Sequence, residues 1–164
     1  MTIKILNKVN KEKYFPKIIK KGEWIDLYTS EDAYLKGPSS KGGHVTFSST
    51  LIPLGVCMQL PKGCEAIVAP RSSIYKNHGV ILANSIGVID NCYNGPNDVW
   101  KFNAIAFKTT EIPAGTRICQ FRIQLSQQAT FIDKIRWLFT NKIKIEYVKN
   151  LENKNRGGFG STGK

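Results

Sequence analysis

The stretch Gly87-Val88-Ile89-Asp90-Asn91-Cys92-Tyr93-Asn94-Gly95 encloses one carboxylate and one tyrosine between glycines. An apolar run, Gly79 to Ala83, precedes it, and a second strand-like run, Val99 to Phe102, follows it. Two β-like segments joined by a Gly/Asn-rich turn are typical of a β-hairpin. Such a hairpin can present backbone N–H and C=O groups to a ligand, and Asp90 beside it can act as a base on a water molecule. Taken alone, these residues also fit an ordinary hairpin with a solvated aspartate, which is the simpler interpretation.

The composition favours one all-β domain. The chain has 164 residues, and its 41% hydrophobic content is enough for a core. Its 14 glycines and 7 prolines lie between short apolar runs, a spacing that suits strands better than helices. No run approaches the roughly 18–20 apolar residues that span a bilayer, and the first residues do not resemble a signal peptide. We therefore expect no membrane association and a cytoplasmic location.

The charge and the cysteines exclude some classes of function. The formal net charge is +12, which attracts anions, so nucleic acid and polyphosphate small molecules are both candidate partners. The lysines are spread along the chain without a recognition helix or an RNA-binding aromatic motif, which makes nucleic acid unlikely. None of the four cysteines forms a CxxC pair, and His44 and His78 stand alone, so a structural zinc site is not expected.

Short strands are predicted along most of the chain. Residues 1–8 alternate apolar and polar side chains and predict an edge strand. Cys64 to Pro70 predicts a strand that leads Arg71-Ser72-Ser73 into a turn. Apolar residues at helical spacing predict one short helix over Phe131 to Phe139, and residues 131–142 look like an insertion before the last strand. We favour a helix that caps the core here, with a docking surface for another protein as the alternative.

Two further stretches suggest phosphate binding. Arginine binds phosphate oxygens with two parallel N–H groups, and hydroxyls with exposed backbone N–H groups can complete the site, so Arg71-Ser72-Ser73 is a candidate. The Gly-rich tail from Arg156 to Lys164 can bind anions through its backbone, and Phe159 within it can act as a lid over a base. Gln120 is a polar residue in an apolar strand and is either satisfied in the core or directed into a site.

Together these stretches resemble the five ordered motifs of the trimeric dUTPase family. The matching segments are Asp26-Leu27, Pro70 to Ser73, Gly87 to Gly95, Arg117 to Gln120, and Arg156 to Gly163. The resemblance implies a jelly-roll-like β-barrel or sandwich over residues 1–152 with a mobile tail, 153–164, that closes over an active site. It also implies a homotrimer with shared sites and Mg²⁺-dependent hydrolysis of dUTP to dUMP and pyrophosphate. Such an activity limits uracil incorporation into DNA and supplies dUMP for dTMP synthesis.

The resemblance assigns roles on the pyrimidine side of the site. Asp90 would orient and deprotonate the water that attacks the α-phosphorus. Tyr93 would pack under the deoxyribose and exclude a 2′-hydroxyl. Asn84 and the backbone of Gly87, Val88 and Ile89 would bind the uracil edge, and Phe159 would stack over the uracil.

The resemblance assigns a second group to the triphosphate. On the body of the domain the phosphate ligands would be Arg71, Ser72, Ser73 and Gln120. From the tail they would be Arg156, Gly160, Ser161 and Thr162. Asp26 would contact Mg²⁺ indirectly through water, and the ion would be held mainly by the triphosphate.

Some points stay open in the sequence. Lys154 takes the place of the tail arginine if the family's spacing is kept, whereas Arg156 takes it if the residue type is kept. Arg71 and the Phe159 tail lie too far along the chain to close over Asp90 locally, so other subunits are expected to supply both. A related dCTP deaminase is an alternative function, although no acid/base glutamate is evident near the hairpin. A nucleotide-gated regulatory protein that uses residues 131–142 as its contact surface is another.

Overall fold

A computed structural model of the protein describes residues 1–9, 11–18, 22–140 and 142–158. In these ranges the chain forms fourteen strands, two α-helices and a short 3-10 helix at Glu12–Tyr14. In chain order the elements are β1 (Thr2–Asn7), β2 (Ile25–Tyr28), β3 (Ala33–Leu35), β4 (Ser39–Lys41), β5 (His44–Thr46), β6 (Ser49–Pro53), β7 (Val56–Gln59), β8 (Cys64–Pro70), α1 (Ile74–His78), β9 (Val80–Leu82), β10 (Gly87–Ile89), β11 (Lys101–Ala106), β12 (Thr110–Ile112), β13 (Arg117–Leu125), α2 (Phe131–Phe139) and β14 (Lys144–Tyr147). The predominance of strands agrees with the all-β prediction.

The helix α1 was not predicted, since the sequence suggested only a turn after Ser73. It ends at Gly79, whose φ of +67° is a left-handed conformation that glycine adopts without steric cost. The backbone N–H of Gly79 donates to the carbonyl oxygen of Tyr75, which closes the last turn. The described part of the chain therefore contains a short α-helix in addition to the predicted one at Phe131–Phe139.

Three sheets form the body of the domain, with strand orders β14-β1-β7, β10-β8-β13-β2 and β6-β11-β9. In β8 the side chains of Cys64, Ala66 and Val68 are buried and the intervening ones are partly exposed, which is the two-residue period of a strand with one face on the core. The second sheet carries most of the candidate motifs, because Gln120 of β13 lies opposite Asp26 of β2 on one side and Ala69 of β8 on the other.

The prediction that residues 1–8 form an edge strand is wrong. Strand β1 pairs in parallel with β14 and antiparallel with β7, and Ile3 and Ile5 are fully buried. Alternating side chains indicate a strand but do not show how many neighbours it has. Here the chain returns after α2 and adds β14 to the free side of β1, which ties the C-terminal region to the N-terminal strand of the same chain.

The predicted hairpin around Gly87–Gly95 is also corrected. Strand β10 pairs antiparallel with β8, whereas β11 pairs with β6 and β9 and not with β10. The turn prediction is sound, but the chain crosses from one sheet to another between Asp90 and Lys101. Strand β10 is consequently the edge strand of its sheet, and its outer backbone groups are free of a strand partner.

The core lies between these sheets. Trp100, Phe102 and Phe121 are fully buried, and the rings of Trp100 and Phe121 meet edge to face with centroids 5.3 Å apart. A smaller cluster unites Leu6 of β1, Cys57 of β7 and Leu151. Because Leu151 follows β14, this cluster anchors the chain directly before its glycine-rich end.

Helix α2 is present over Phe131–Phe139, but its apolar face does not cap the core as we favoured. Phe131, Ile132, Leu138 and Phe139 are 66–84% exposed, and Ile135 is 39% exposed. Asp133 and Trp137 face the protein instead. A capping box accounts for this orientation of the helix, because the hydroxyl and the backbone N–H of Thr130 donate to the Asp133 carboxylate and hold that side of α2 against the protein. The same hydrogen bonds keep the pKa of Asp133 below its usual range. No helix in the described ranges is long and apolar enough to cross a membrane.

We expect charged substitutions on the exposed face of α2 to be tolerated. Leu138→Glu should change the free energy of unfolding by less than about 1 kcal/mol, because the side chain is 78% exposed. Trp137→Ala should cost about 2 kcal/mol or more, because Trp137 packs against the core. Urea denaturation of both variants tests this contrast. An equal loss in both would mean that another chain covers the face.

The four cysteines are expected to differ sharply in reactivity. Cys57, Cys64 and Cys119 are buried, and burial raises the pKa of all three thiols, that of Cys57 to about 11. A raised pKa leaves the thiol protonated and unreactive at pH 8. Cys92 is exposed. A thiol reagent at pH 8 should label one cysteine per folded chain and all four after denaturation, and rapid labelling of more than one in the folded protein would contradict the burial of the others.

Candidate active site

Asp90 follows the last residue of β10 and lies on a turn that hydrogen bonds hold on both sides. The backbone N–H of Tyr93 donates to the Asp90 carbonyl oxygen at 3.0 Å. The side-chain amide of Asn91 donates to the carbonyl oxygens of Pro61 and Cys64 at 2.8 and 3.1 Å, which pins the turn to the start of β8. The Asp90 side chain itself is 51% exposed. A water molecule can therefore reach a carboxylate whose backbone is rigidly held.

A cavity of about 250 Å³ lies beside this turn. Seven of the predicted site residues line it, namely Asn84, Gly87, Val88, Ile89, Asp90, Tyr93 and Arg156. One wall is the free edge of β10, and Lys101 and Asn103 of β11 also line the cavity. The amide nitrogen of Asn84 donates to the carbonyl oxygen of Ile86 at 2.8 Å, which fixes its side chain within the turn before β10. These seven residues therefore lie around one cavity.

Tyr93 forms a rigid wall of this cavity. The residue is 8% exposed, and its hydroxyl donates to the carbonyl oxygen of Val99 at 3.0 Å. Burial raises the pKa of Tyr93 to about 12, with the charges of Asp98 and Cys57 acting in the same direction and Arg156 opposing them. The phenol is therefore neutral at physiological pH and serves as an apolar surface.

Asp98 is a central residue that sequence reasoning missed. It is 1% exposed, and its two carboxylate oxygens accept backbone N–H groups from Gly95, Arg156 and Gly157 at 2.9–3.0 Å. Burial alone would raise the pKa of Asp98, but these backbone donors outweigh it and hold the pKa below the usual value. No spacing rule distinguishes this aspartate from other turn residues.

Arg156 reaches the candidate base within the same chain. Its Nη2 lies 3.2 Å from Oδ2 of Asp90, and a Cβ added at Gly158 would lie only 3.1 Å from the Tyr93 ring. The expectation that the tail is too far away to approach Asp90 locally is therefore wrong for residues 156–158. Lys154, the alternative tail cation, is exposed and away from the cavity lining. Phe159, Gly160, Ser161 and Thr162 lie outside the described residues.

A second cluster surrounds Asp26 on the same sheet. One carboxylate oxygen of Asp26 pairs with Arg71, and the other lies 3.4 Å from Nη1 of Arg117. Gln120 is adjacent across the strands, and Ser72 and Ser73 follow Arg71 on the exposed turn before α1. Asp26 thus orients two guanidinium groups toward the surface. Arg117, which sequence reasoning left without a role, could have been suspected from its place in the Arg117 to Gln120 motif.

The two clusters are far apart in one chain. Ile89 pairs with Ala66, so Asp90 lies beside Glu65 at the start of β8, whereas Arg71 follows the end of the same strand. Six residues of extended strand at about 3.3 Å each separate them by about 20 Å. A single chain therefore brings Asp90 and the cavity beside β10 together but keeps the phosphate-binding candidates at the opposite end of the sheet.

Comparison with known proteins agrees with the motifs. The sequence profile of the dUTPase family matches residues 25–163. The chain belongs to the dUTPase family.

Relatives of this dUTPase support the assignment as an enzyme. It is 47% identical to the SPbeta prophage-derived deoxyuridine 5'-triphosphate nucleotidohydrolase YosS of Bacillus subtilis (strain 168), over 88% of this chain and 87% of the relative. The predicted enzyme class, dUTP diphosphatase, is thereby confirmed.

Solved structures support the fold of this dUTPase. The dUTPase of Streptococcus mutans superimposes with a TM-score of 0.63 at 24% identity, covering 76% of this chain and 95% of that one. A variant dUTPase of phage phi11 of S. aureus gives a TM-score of 0.61 at 15% identity, over 80% of this chain and 95% of that one. That phage protein is described as coordinating a structural Mg(II) ion. The predicted all-β fold class is confirmed by these likenesses.

Proposed function

We propose that the protein hydrolyses dUTP to dUMP and pyrophosphate by attack of an Asp90-bound water on the α-phosphorus. The observation that carries this proposal is the position of Asp90, half exposed at a cavity bounded by the free edge of β10 and by Tyr93. A single carboxylate can accept the proton of one water molecule, and general base catalysis typically contributes about 10²–10⁴-fold to the rate. Charge neutralisation around the triphosphate supplies the rest.

The pyrimidine would bind in the cavity beside β10. An edge strand offers backbone N–H and C=O groups that can pair with the uracil edge, and a cytosine would leave one of these groups unpaired. The narrow space between β10 and β11 would exclude the methyl group of thymine. The buried ring of Tyr93 would pack under deoxyribose and leave no room for a 2′-hydroxyl.

A homotrimer with shared sites would complete the active site. The separation of about 20 Å between Asp90 and Arg71 in one chain supports this, since one triphosphate must contact both. Exposed apolar residues also support an interface. On the outer face of the β6-β11-β9 sheet, Leu51 and Ile81 are 37–38% exposed, and the exposed rings of Phe47 and Tyr75 pack on Phe107 with centroids 5.4 and 5.8 Å away.

Mg²⁺ would accompany the substrate. Each carboxylate at the two clusters is already paired with an arginine, Asp26 with Arg71 and Asp90 with Arg156. A hard cation in this setting would be held mainly by triphosphate oxygens and water, with Asp26 contributing through water. When bound, the ion would neutralise phosphate charge, while Arg71, Ser72, Ser73 and Gln120 would orient the chain of phosphates.

The wider role follows from the reaction. Hydrolysis of dUTP would limit uracil incorporation into DNA and supply dUMP for dTMP synthesis. A cytoplasmic location is part of this proposal, and the four free cysteines fit a reducing compartment. The division into a β domain, 1–152, and a closing tail, 153–164, is likewise proposed, as is a protein partner at residues 131–142, for which the exposed apolar face of α2 is the supporting observation.

Purified protein should release pyrophosphate from dUTP with Mg²⁺ at a far higher kcat/KM than from dTTP, dCTP or UTP. Sedimentation of the same sample should give the mass of a trimer. The absence of pyrophosphate from dUTP would refute the hydrolase assignment, and ammonia release from dCTP would favour the related deaminase.

A further inference from the structure

We propose that two side chains of β11, Asn103 and Lys101, distinguish uracil from cytosine in the cavity beside β10. The side-chain oxygen of Asn103 would accept the N3–H of uracil, and the ammonium group of Lys101 would donate to the O4 carbonyl. The inference rests on the proposed function and adds two specificity residues that lie outside the sequence motifs. The backbone of β10 and Asn84 would contact the remaining polar atoms of the ring.

The first observation is the position of the two side chains on β11. Phe102, Ala104 and Ala106 are buried in the core, whereas Lys101 and Asn103 are half-buried. Successive side chains of a strand point to opposite faces, so Lys101 and Asn103 share a face, with Cα atoms about 6.6 Å apart. Both line the cavity that β10 bounds on its other side. They can therefore contact one ligand together.

The second observation is an unpaired acceptor on Asn103. Its backbone is held in place, because its carbonyl oxygen accepts the N–H of Ala83 at 2.8 Å. Its side-chain oxygen is buried and accepts no hydrogen bond from any described residue. Buried polar atoms in folded proteins are nearly always paired, so an unpaired acceptor on a cavity-lining side chain indicates a donor on a ligand. The terminal torsion of asparagine is soft, and a small rotation of the amide is enough to bring the oxygen to that donor.

The two groups match the hydrogen-bonding edge of uracil. An asparagine carbonyl oxygen accepts, and a lysine ammonium group only donates. Uracil offers a donor at N3 and an acceptor at O4, whereas cytosine has an acceptor at N3 and a donor amino group at C4. Cytosine in the same place would therefore oppose acceptor to acceptor at Asn103 and donor to donor at Lys101. Buried polar groups left unpaired in this way reject a wrong ligand strongly.

Lys101 makes this discrimination firm. The amide of Asn103 can turn and offer its nitrogen to N3 of cytosine, because the two ends of an amide are nearly equal in size. Lysine has no acceptor in any orientation, so the cytosine amino group stays unpaired beside it. Removal of Lys101 should therefore relax the exclusion of cytosine, whereas removal of Asn103 should mainly weaken the binding of uracil.

Binding of dUMP and dCMP to three variants tests the assignment without depending on hydrolysis. Asn103→Ala should weaken dUMP binding by about tenfold to a hundredfold and change dCMP binding by less than about threefold. Lys101→Met should weaken dUMP binding by about tenfold and strengthen dCMP binding. Lys4→Met removes an exposed lysine from β1 and should leave both dissociation constants unchanged as the matched control. Isothermal titration calorimetry measures all of these constants.

The ratio of the dCMP to the dUMP dissociation constant decides the outcome, and it should fall in both β11 variants. Equal weakening of the two nucleotides by Asn103→Ala and by Lys101→Met would overturn the inference, because a structural or phosphate-binding role affects both nucleotides alike. Where Asn103→Ala does not fold, dCMP binding by Lys101→Met decides. A parent protein that does not hydrolyse dUTP would instead refute the proposed function, whereas an active parent with the same ratio in every variant would overturn only this inference.

Discussion

Replacing Asp90 with asparagine should lower kcat for dUTP by about 10²–10⁴-fold while leaving nucleotide binding largely intact. The side chain is half exposed, so the change of one oxygen to nitrogen should not disturb the fold. The turn around it is held by Asn91 and by the backbone of Tyr93, neither of which depends on the carboxylate. What disappears is the acceptor for the proton of the attacking water. Initial rates of pyrophosphate release and equilibrium binding of a non-hydrolysable dUTP analogue measure the two effects separately.

Glu65→Gln is the matched control for this substitution. Glu65 is a neighbouring carboxylate at the start of β8, and it accepts a hydrogen bond from Gln124 at 2.7 Å. Its replacement removes a similar charge from the same region without touching the attacking water, so turnover should change little. Full activity in Asp90→Asn would remove Asp90 as the base. Equal losses in both variants would mean that local negative charge, rather than a specific base, is responsible.

The grouping of residues around the cavity beside β10 could be expected from the sequence, for a physical reason. Asp90, Tyr93 and Gly87 to Ile89 are close together in the chain, so a turn is enough to bring them together. Asn84 lies on the preceding turn and meets the same cavity. The convergence of these residues needs no knowledge of which strands pair.

What could not be predicted depends on contacts between distant segments. The pairing of β10 with β8, and of β14 with β1, follows from packing of the whole chain and not from the pattern of either strand. The role of Asp98 arises only where the tail returns to the turn. The apolar stripe of α2 predicts a helix, but the capping box and Trp137, not the stripe, decide which side faces the protein.

The second large effect concerns complementation between inactive chains. In the proposed trimer, Asp90→Asn chains would lack the candidate base, and Arg71→Ala chains would lack the guanidinium that pairs with Asp26. Each should be nearly inactive alone. The separation of about 20 Å along β8 means that one bound triphosphate cannot contact both residues of one chain. Activity should therefore reappear when the two variants share a trimer.

The size of the recovery follows from counting sites. In a ring of three chains, a site is intact when the chain that supplies the base carries the Arg71 defect and the neighbour that supplies the guanidinium carries the Asp90 defect. Every trimer that contains both variants, each with its own affinity tag, has one intact site of its three, so purification through both tags should give about a third of the sites intact. Co-expression followed by purification through both tags, with unmixed blends of the two homotrimers as control, measures this. If the co-expressed protein is no more active than the blend, Asp90 and Arg71 do not belong to one shared site, and the proposed trimer with shared sites is refuted.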